Sequence, residues 1–100
     1  MRLTDLNPRL RHPDIKAPTV SEAYGVEFTC PCGKHQLWCN FQNRYGGTTG
    51  WAATGTDVND LTFHDSPLGT RSVRYLGPCK AHFNITNGAL DFYDDSGVRA

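Results

Sequence analysis

The stretch HFNITNGALDFY, residues 82–93, carries the clearest folding signal in the chain. Asn87-Gly88 suits the two positive-φ positions of a type I′ turn, which joins two antiparallel strands. A hairpin folded there has the paired residues Thr86 and Ala89, Ile85 and Leu90, Asn84 and Asp91, and Phe83 and Phe92. In this register the apolar residues of both strands share one face, so the turn and the hydrophobic pattern predict the same hairpin.

The rest of the chain after Tyr24 also reads as short strands. GVEFTC (25–30) and HQLWCNF (35–41) alternate between apolar and polar residues, which places Leu37, Cys39 and Phe41 on one face and Trp38 on the other. WAAT (51–54), DLTFHD (60–65) and RSVRYL (71–76) are shorter candidates, and RYGGTTG (44–50) reads as a turn. Because no segment keeps a helical period, the sequence predicts a mostly β fold, either a small sandwich or a partly open barrel.

The first 23 residues differ from the rest in composition. Pro8, Pro13 and Pro18 interrupt them, and apolar residues are sparse. We therefore predict an extended N-terminal arm over residues 1–23 and a β domain over 24–100. The arm reads either as a solvated tail or as a segment that orders on a partner, with Arg9 and Arg11 as candidate partner contacts.

Charge and composition narrow the classes of function. Ten basic residues balance ten acidic ones in 100 residues, so no bulk field favours binding of a polyanion. The polar start MRLTDLNPRLRHPD lacks the apolar core of a signal peptide, and no run is long enough to span a membrane. The chain is therefore expected to be cytosolic, where its four cysteines stay reduced.

Two pairs of metal-ligand residues stand out. Cys30-Pro31-Cys32-Gly33 follows one strand, and Cys79-Lys80-Ala81-His82 leads into the hairpin. Two turns brought together could hold one ion with three thiolates and one imidazole, a ligand set that zinc favours. The predicted ligands are Cys30, Cys32, Cys79 and His82, and a structural Zn²⁺ would stabilise a core that is small in a chain of this length. The alternative is a set of reduced thiols without metal.

Two further residues are candidates near these pairs. Cys39 shares a strand face with Leu37 and Phe41 and is therefore predicted to be a core residue. His35 lies three residues after Cys32 and could replace one of the predicted ligands. Otherwise His35 is a polar residue at a strand end.

Residues that could suggest a catalytic site are present, but they lack the arrangement that catalysis needs. His64, Asp65 and Ser66 are adjacent in sequence, whereas a serine triad needs side chains that converge in space. The H-x-E element of zinc deaminases and phosphate-binding glycine loops are absent from the sequence. We therefore expect a protein without enzymatic activity.

The aromatic residues allow two interpretations. They could form an exposed platform on which bases stack, or they could pack in a second layer of the core. The residues concerned are Trp38, Tyr45, Trp51, Tyr75 and Tyr93.

Four segments together resemble a family of small uncharacterised phage and prophage proteins. These segments are FTCPCGKHQLW, Gly50-Trp51, DLTFHDSP and CKAHFNITNGAL, which span about Val26 to Leu90. Members of that family combine a CPCG turn with a later C-x2-H-F motif, and some carry an ammonia monooxygenase label that no residue here supports. Many relatives have another cysteine where this chain has Lys34. The resemblance implies a fold, the same four ligands and a phage setting, with the host cytosol or a virion as the location, but no reaction.

Taken together, these observations predict a zinc-stabilised accessory protein, encoded by a phage, that binds a host protein or a virion component. A nucleic-acid-binding zinc module is the alternative, with Arg71, Arg74 and Lys80 near the second ligand pair as its support. A zinc hydrolase comes third and would need an open coordination position.

Overall fold

Short strands joined by turns make up the fold. The computed structural model describes residues 1–43, 50–67, 69 and 71–98, and within these residues the chain forms eight strands and one short 3-10 helix. In chain order the elements are the 3-10 helix Leu3–Leu6, β1 (Arg9–Arg11), β2 (Gly25–Thr29), β3 (Gln36–Asn40), β4 (Ala52–Thr54), β5 (Thr62–His64), β6 (Val73–Arg74), β7 (His82–Thr86) and β8 (Ala89–Phe92).

The strands form three small antiparallel sheets. Their strand orders are β1-β2-β3, β4-β5 and β6-β7-β8. The predicted mostly β class is confirmed, and across the described strands the three sheets do not close into a barrel. The predicted turn at 44–50 and the aromatic residue Tyr45 cannot be compared with the structure, because residues 44–49 lie outside the described part of the chain.

The hairpin of β7 and β8 has the predicted register. Phe83 pairs with Phe92, and Thr86 pairs with Ala89. Asn87 and Gly88 have φ values of 49° and 75°, as a type I′ turn requires. The side chains of Phe83, Ile85 and Leu90 are buried, so the predicted apolar face is the one that packs into the core.

The sheet of β1, β2 and β3 also follows the alternation in the sequence. Val26 and Phe28 of β2 are buried, as are Leu37 and Cys39 of β3, whereas Trp38 is exposed. Pairing of Val26 with Cys39 and of Phe28 with Leu37 brings these residues together on the inner face. Strand alternation thus predicted both faces of this sheet correctly.

Aromatic contacts join the three sheets into one core. The rings of Phe28 and Phe83 meet edge to face with centroids 6.2 Å apart, which links the first sheet to the third. Phe63 of β5 lies 6.1 Å from Phe41 and stacks 5.7 Å from Trp51. Trp51 is therefore half-buried against this core, and its indole N–H donates to the carbonyl of Ser72 over 3.0 Å.

The N-terminal segment packs into this core, in place of the extended arm that the sequence predicted. Leu3 and Ala23 are fully buried, and Leu6 and Val20 are almost so. The backbone N–H of Leu3 donates to the carbonyl of Gly88 over 2.7 Å, and β1 pairs with β2. The prolines interrupt the alternation of apolar and polar residues in residues 1–23, so the sequence shows no strand or helix pattern there. Several apolar side chains of this segment are nevertheless buried against the core.

The turn of the β7–β8 hairpin provides a stability test. We expect Gly88→Val to lower the melting temperature clearly, because Gly88 has a positive φ and a Cβ there would lie 2.4 Å from the carbonyl oxygen of Asn59. Asn87→Gly keeps a residue that tolerates positive φ and is expected to change stability little. Thermal unfolding followed by circular dichroism measures both. An unchanged melting temperature for Gly88→Val would contradict the described turn.

Candidate metal centre

The turn between β2 and β3 supplies three of the candidate ligands. The backbone N–H of Cys30 donates to the carbonyl of His35 over 2.8 Å, and the N–H of Gly33 donates to the carbonyl of Cys30 over 2.7 Å. Gly33 has a φ of 80°, which only glycine adopts without strain. These constraints curl the segment 30–35 so that Cys30, Cys32 and His35 face a common point.

The fourth candidate comes from the loop between β6 and β7. The loop is held by hydrogen bonds from the N–H of Tyr75 to the carbonyl of Ala81, 2.8 Å, and from the N–H of Lys80 to the carbonyl of Gly77, 3.1 Å. Lys80 takes a positive φ of 51°, which turns the chain immediately after Cys79. The loop thereby presents the Cys79 thiol to the turn that follows β2.

Four potential ligand atoms meet between these two segments. One ligand atom each from Cys30, Cys32, His35 and Cys79 lies within 4.8 Å of every other. The Sγ atoms of Cys30 and Cys79 are 3.6 Å apart. The His35 ring lies between two thiols, with Nδ1 3.5 Å from Cys32 Sγ and Nε2 3.9 Å from Cys79 Sγ.

The separation of the Cys30 and Cys79 sulfurs, and that of Cys32 Sγ from His35 Nδ1, agree with a tetrahedral metal site that His35 joins through one nitrogen. Zinc–sulfur bonds of about 2.3 Å and zinc–nitrogen bonds of about 2.0 Å imply ligand separations of about 3.8 Å between two sulfurs and about 3.5 Å between sulfur and nitrogen. All four cysteines are unpaired, so the thiols are free to act as ligands. The cluster is therefore compatible with a metal site with three sulfur ligands and one nitrogen ligand.

The thiols differ in their surroundings. Cys30 is fully buried, and burial raises the pKa of its thiol to about 12. Cys32 is half-buried; burial acts to raise its pKa, but hydrogen bonds from the Lys34 backbone and the neighbouring thiols lower it overall. A cation would favour the thiolate forms because metal ligands bind deprotonated.

The imidazole of His35 is packed against a neighbouring ring, and a cavity adjoins the cluster. The ring of Tyr75 packs on the ring of His35 with centroids 4.3 Å apart, and Gly77 lets the tyrosine ring lie against the loop backbone. A cavity of about 610 Å³ adjoins the other side and is lined by Cys32, Lys34, His35, Pro78, Cys79, Gly97 and Val98. The cluster thus lies at the surface between two sheets, with one thiol buried beneath it.

His82, the fourth ligand predicted from the sequence, lies outside this cluster. His82 opens β7 directly before the buried Phe83, so strand alternation turns its side chain to the opposite face. There Nδ1 lies 2.6 Å from Asp95 Oδ1, and the ring stacks on Tyr93 at 4.0 Å. The hydrogen bond from His82, together with Arg74, holds the pKa of Asp95 below its usual range.

Sequence reasoning ranked His35 behind His82, although His35 carried a signal. His35 is three residues from Cys32 in the same turn, whereas His82 is three residues from Cys79 across the start of a strand. In a tight turn, the side chains of residues three positions apart can face the same point. Across the start of a strand, they point to different sides.

Cys39 is a core residue, as predicted. It is almost fully buried on the inner face of β3, and burial raises the pKa of its thiol far above the usual value. Among the described residues it belongs to no group of potential metal ligands. Cys39 is therefore a small apolar side chain in this fold.

The four arginines predicted to contact a partner do not form one patch of free charge. Arg11 pairs with Glu27 over 3.4 Å, and Arg74 forms an ion pair with Asp95. Arg71 donates through Nη2 to the hydroxyl of Thr86, while Arg9 is exposed on β1. Two of the four charges are thus opposed within the chain.

The adjacent residues His64 and Asp65 point to separate partners. His64 Nε2 lies 2.6 Å from the hydroxyl of Thr54, and Asp65 Oδ1 accepts from the backbone N–H of Arg71 over 3.0 Å. Their side chains do not converge in the way that a catalytic triad requires.

No helix in the described part of the chain is long and apolar enough to cross a bilayer. Comparison of the chain with protein-family models, with curated proteins and with solved structures found no match.

Proposed function

We propose that Cys30, Cys32, His35 and Cys79 bind one structural Zn²⁺, and that the chain is a zinc-stabilised protein-interaction module without enzymatic activity. The main support is that the four ligand atoms lie within 4.8 Å of one another on two separate loops. Three thiols and one imidazole are a common donor set of structural zinc sites. The phage setting rests on the sequence resemblance alone.

The position of the cluster gives the ion a structural role. Three ligands lie between β2 and β3 of the first sheet, and Cys79 lies between β6 and β7 of the third. An ion held by both loops therefore clips two sheets together at one edge of the core. Such a clip supplies folding free energy that a small core lacks, on the order of 10 kcal/mol in small metal domains.

The ligand number favours a structural role over a catalytic one. Catalytic zinc sites have three protein ligands and keep one position for water, whereas structural sites have four. The four ligands of this cluster would complete a tetrahedron. The balanced charge of the chain gives a polyanion no general attraction. It therefore agrees better with a protein partner than with a nucleic acid.

Separate alanine substitutions of His35 and His82 test the ligand assignment. We expect about one equivalent of zinc in the purified protein and clearly weaker zinc binding in His35→Ala, because that variant loses a ligand. His82→Ala is the matched control and is expected to keep its zinc, since His82 contacts Asp95 and Tyr93 instead. Elemental analysis and chelator competition measure both. Zinc loss in His82→Ala but not in His35→Ala would contradict the assignment.

A further inference from the structure

A groove lined by aromatic and polar side chains lies beside the exposed face of the first sheet. Its volume is about 580 Å³. We call it the aromatic groove; its lining residues are Leu10, Arg11, His12, Pro13, Asp14, Ile15, Lys16, Tyr24 and Trp38. None of these residues belongs to the metal cluster. The groove is large enough for a ligand or a short peptide segment.

Trp38 lines the groove and packs closely on β2. Its side chain is 47% exposed, which is unusual for the largest apolar residue. A Cβ on Gly25 would lie 2.6 Å from Cζ2 and 2.8 Å from Cη2 of the indole. Glycine at position 25 therefore leaves room for the indole ring to pack closely on the neighbouring strand.

Hydrogen bonds hold in place the loop after β1, which also lines the groove. His12 Nδ1 accepts from the backbone N–H groups of Asp14, 3.0 Å, and Ile15, 3.2 Å. The N–H of Tyr24 donates to the carbonyl of Arg11 over 2.8 Å, and the His12 and Tyr24 rings lie 5.1 Å apart. The groove is thus ordered before any ligand arrives, which reduces the entropic cost of binding.

The charges of the groove match a neutral ligand. Arg11 is paired with Glu27, and Lys16 is balanced by Asp14 on the same loop. A polyanion would meet little net positive charge here, although the aromatic rings could stack on bases. In the described part of the chain the indole N–H of Trp38 has no acceptor, in contrast to the N–H of Trp51.

We infer that the aromatic groove binds a proline-rich segment of a partner protein in the polyproline II conformation, an inference that rests on the protein-interaction part of the proposed function. Proline rings pack against exposed aromatic side chains. The polyproline II backbone has no internal hydrogen bonds, so its carbonyls can accept from the Trp38 indole N–H. The ligand is already extended, so binding costs it little conformational entropy.

Titration with a decaproline peptide, followed by ¹H–¹⁵N NMR, tests this inference. We expect the Trp38 indole signal to shift and the Trp51 indole signal to stay, because Trp51 is packed against Phe63. Trp38→Ala is expected to weaken peptide binding at least about tenfold. Leu76→Ala is the control; Leu76 is exposed but does not line the groove, so binding should not change.

Two other ligands, titrated in the same way, test whether the groove binds a different kind of partner. A proline-free peptide of alternating threonine and valine could pair with the edge of β1, which proline cannot do because it lacks an N–H. Absence of decaproline binding would overturn the inference. Preferential binding of the threonine–valine peptide or of an oligothymidine would also overturn it, as would full binding by Trp38→Ala. Zinc content measured on the same samples shows separately whether the metal proposal holds.

Discussion

Cys79→Ser is expected to purify without zinc and to lack a cooperative unfolding transition. Cys79 is the proposed ligand from the loop between β6 and β7, so its loss would separate the ion from the third sheet. A serine hydroxyl is a poor replacement for a thiolate on zinc. Structural zinc contributes on the order of 10 kcal/mol, which is comparable to the whole stability of a small domain, about 5–15 kcal/mol.

Two variants separate loss of the metal from loss of packing. Cys39→Ala truncates a buried thiol outside the cluster, so we expect it to keep zinc and to lose at most a few kcal/mol, as small core truncations do. Cys79→His offers zinc another ligand and is expected to recover part of the binding. Elemental analysis and circular dichroism report metal content and folding. A Cys79→Ser protein that unfolds cooperatively without zinc would rule out the structural role, and one that keeps one equivalent of zinc would rule out Cys79 as a ligand.

The hairpin and the inner faces of the first sheet could be predicted from local chemistry. Asn87-Gly88 specifies its turn through backbone φ, and a period of two then decides which side chains face inward. These signals act between neighbours in sequence, so no knowledge of the remaining chain is needed. The same local logic predicted that Cys39 lies in the core.

The metal cluster could be predicted only in part, because ligand choice depends on side-chain direction. Spacing alone treats Cys32 with His35 and Cys79 with His82 alike, since each pair is separated by three residues. The backbone distinguishes them: the first pair lies in a turn closed by the hydrogen bond from Cys30 to His35, and the second crosses into β7. Three of the four residues in the candidate cluster were predicted from sequence, and its histidine became apparent only in the fold.

The N-terminal segment was misread because its contacts are non-local. Leu3 packs in the core and bonds to Gly88, 85 positions later in the chain, so nothing in its own neighbourhood indicates burial. Proline spacing and sparse apolar residues are typical of tails as well as of irregular segments that cover a core. Only the tertiary contacts decide between the two.

Deletion of residues 2–18 is expected to unfold the protein. The deletion removes Leu3 and Leu6, which are buried, together with β1 and its pairing to β2. Truncation of a single buried leucine costs about 2–5 kcal/mol, so the loss of two such side chains and a strand exceeds what a domain of this size can tolerate.

A pair of point variants makes the same test without shortening the chain. We expect Leu3→Ala to be destabilised by about 2–5 kcal/mol, because Leu3 has 0% exposure and its cavity would open beneath the β7–β8 turn. Arg9→Ala lies in the same segment but is exposed, so its change should stay within about 0.5 kcal/mol. Urea unfolding measures both. If Leu3→Ala matches Arg9→Ala, or if the truncated chain keeps the melting temperature of the full chain, the first residues are a dispensable arm and the core begins near residue 24.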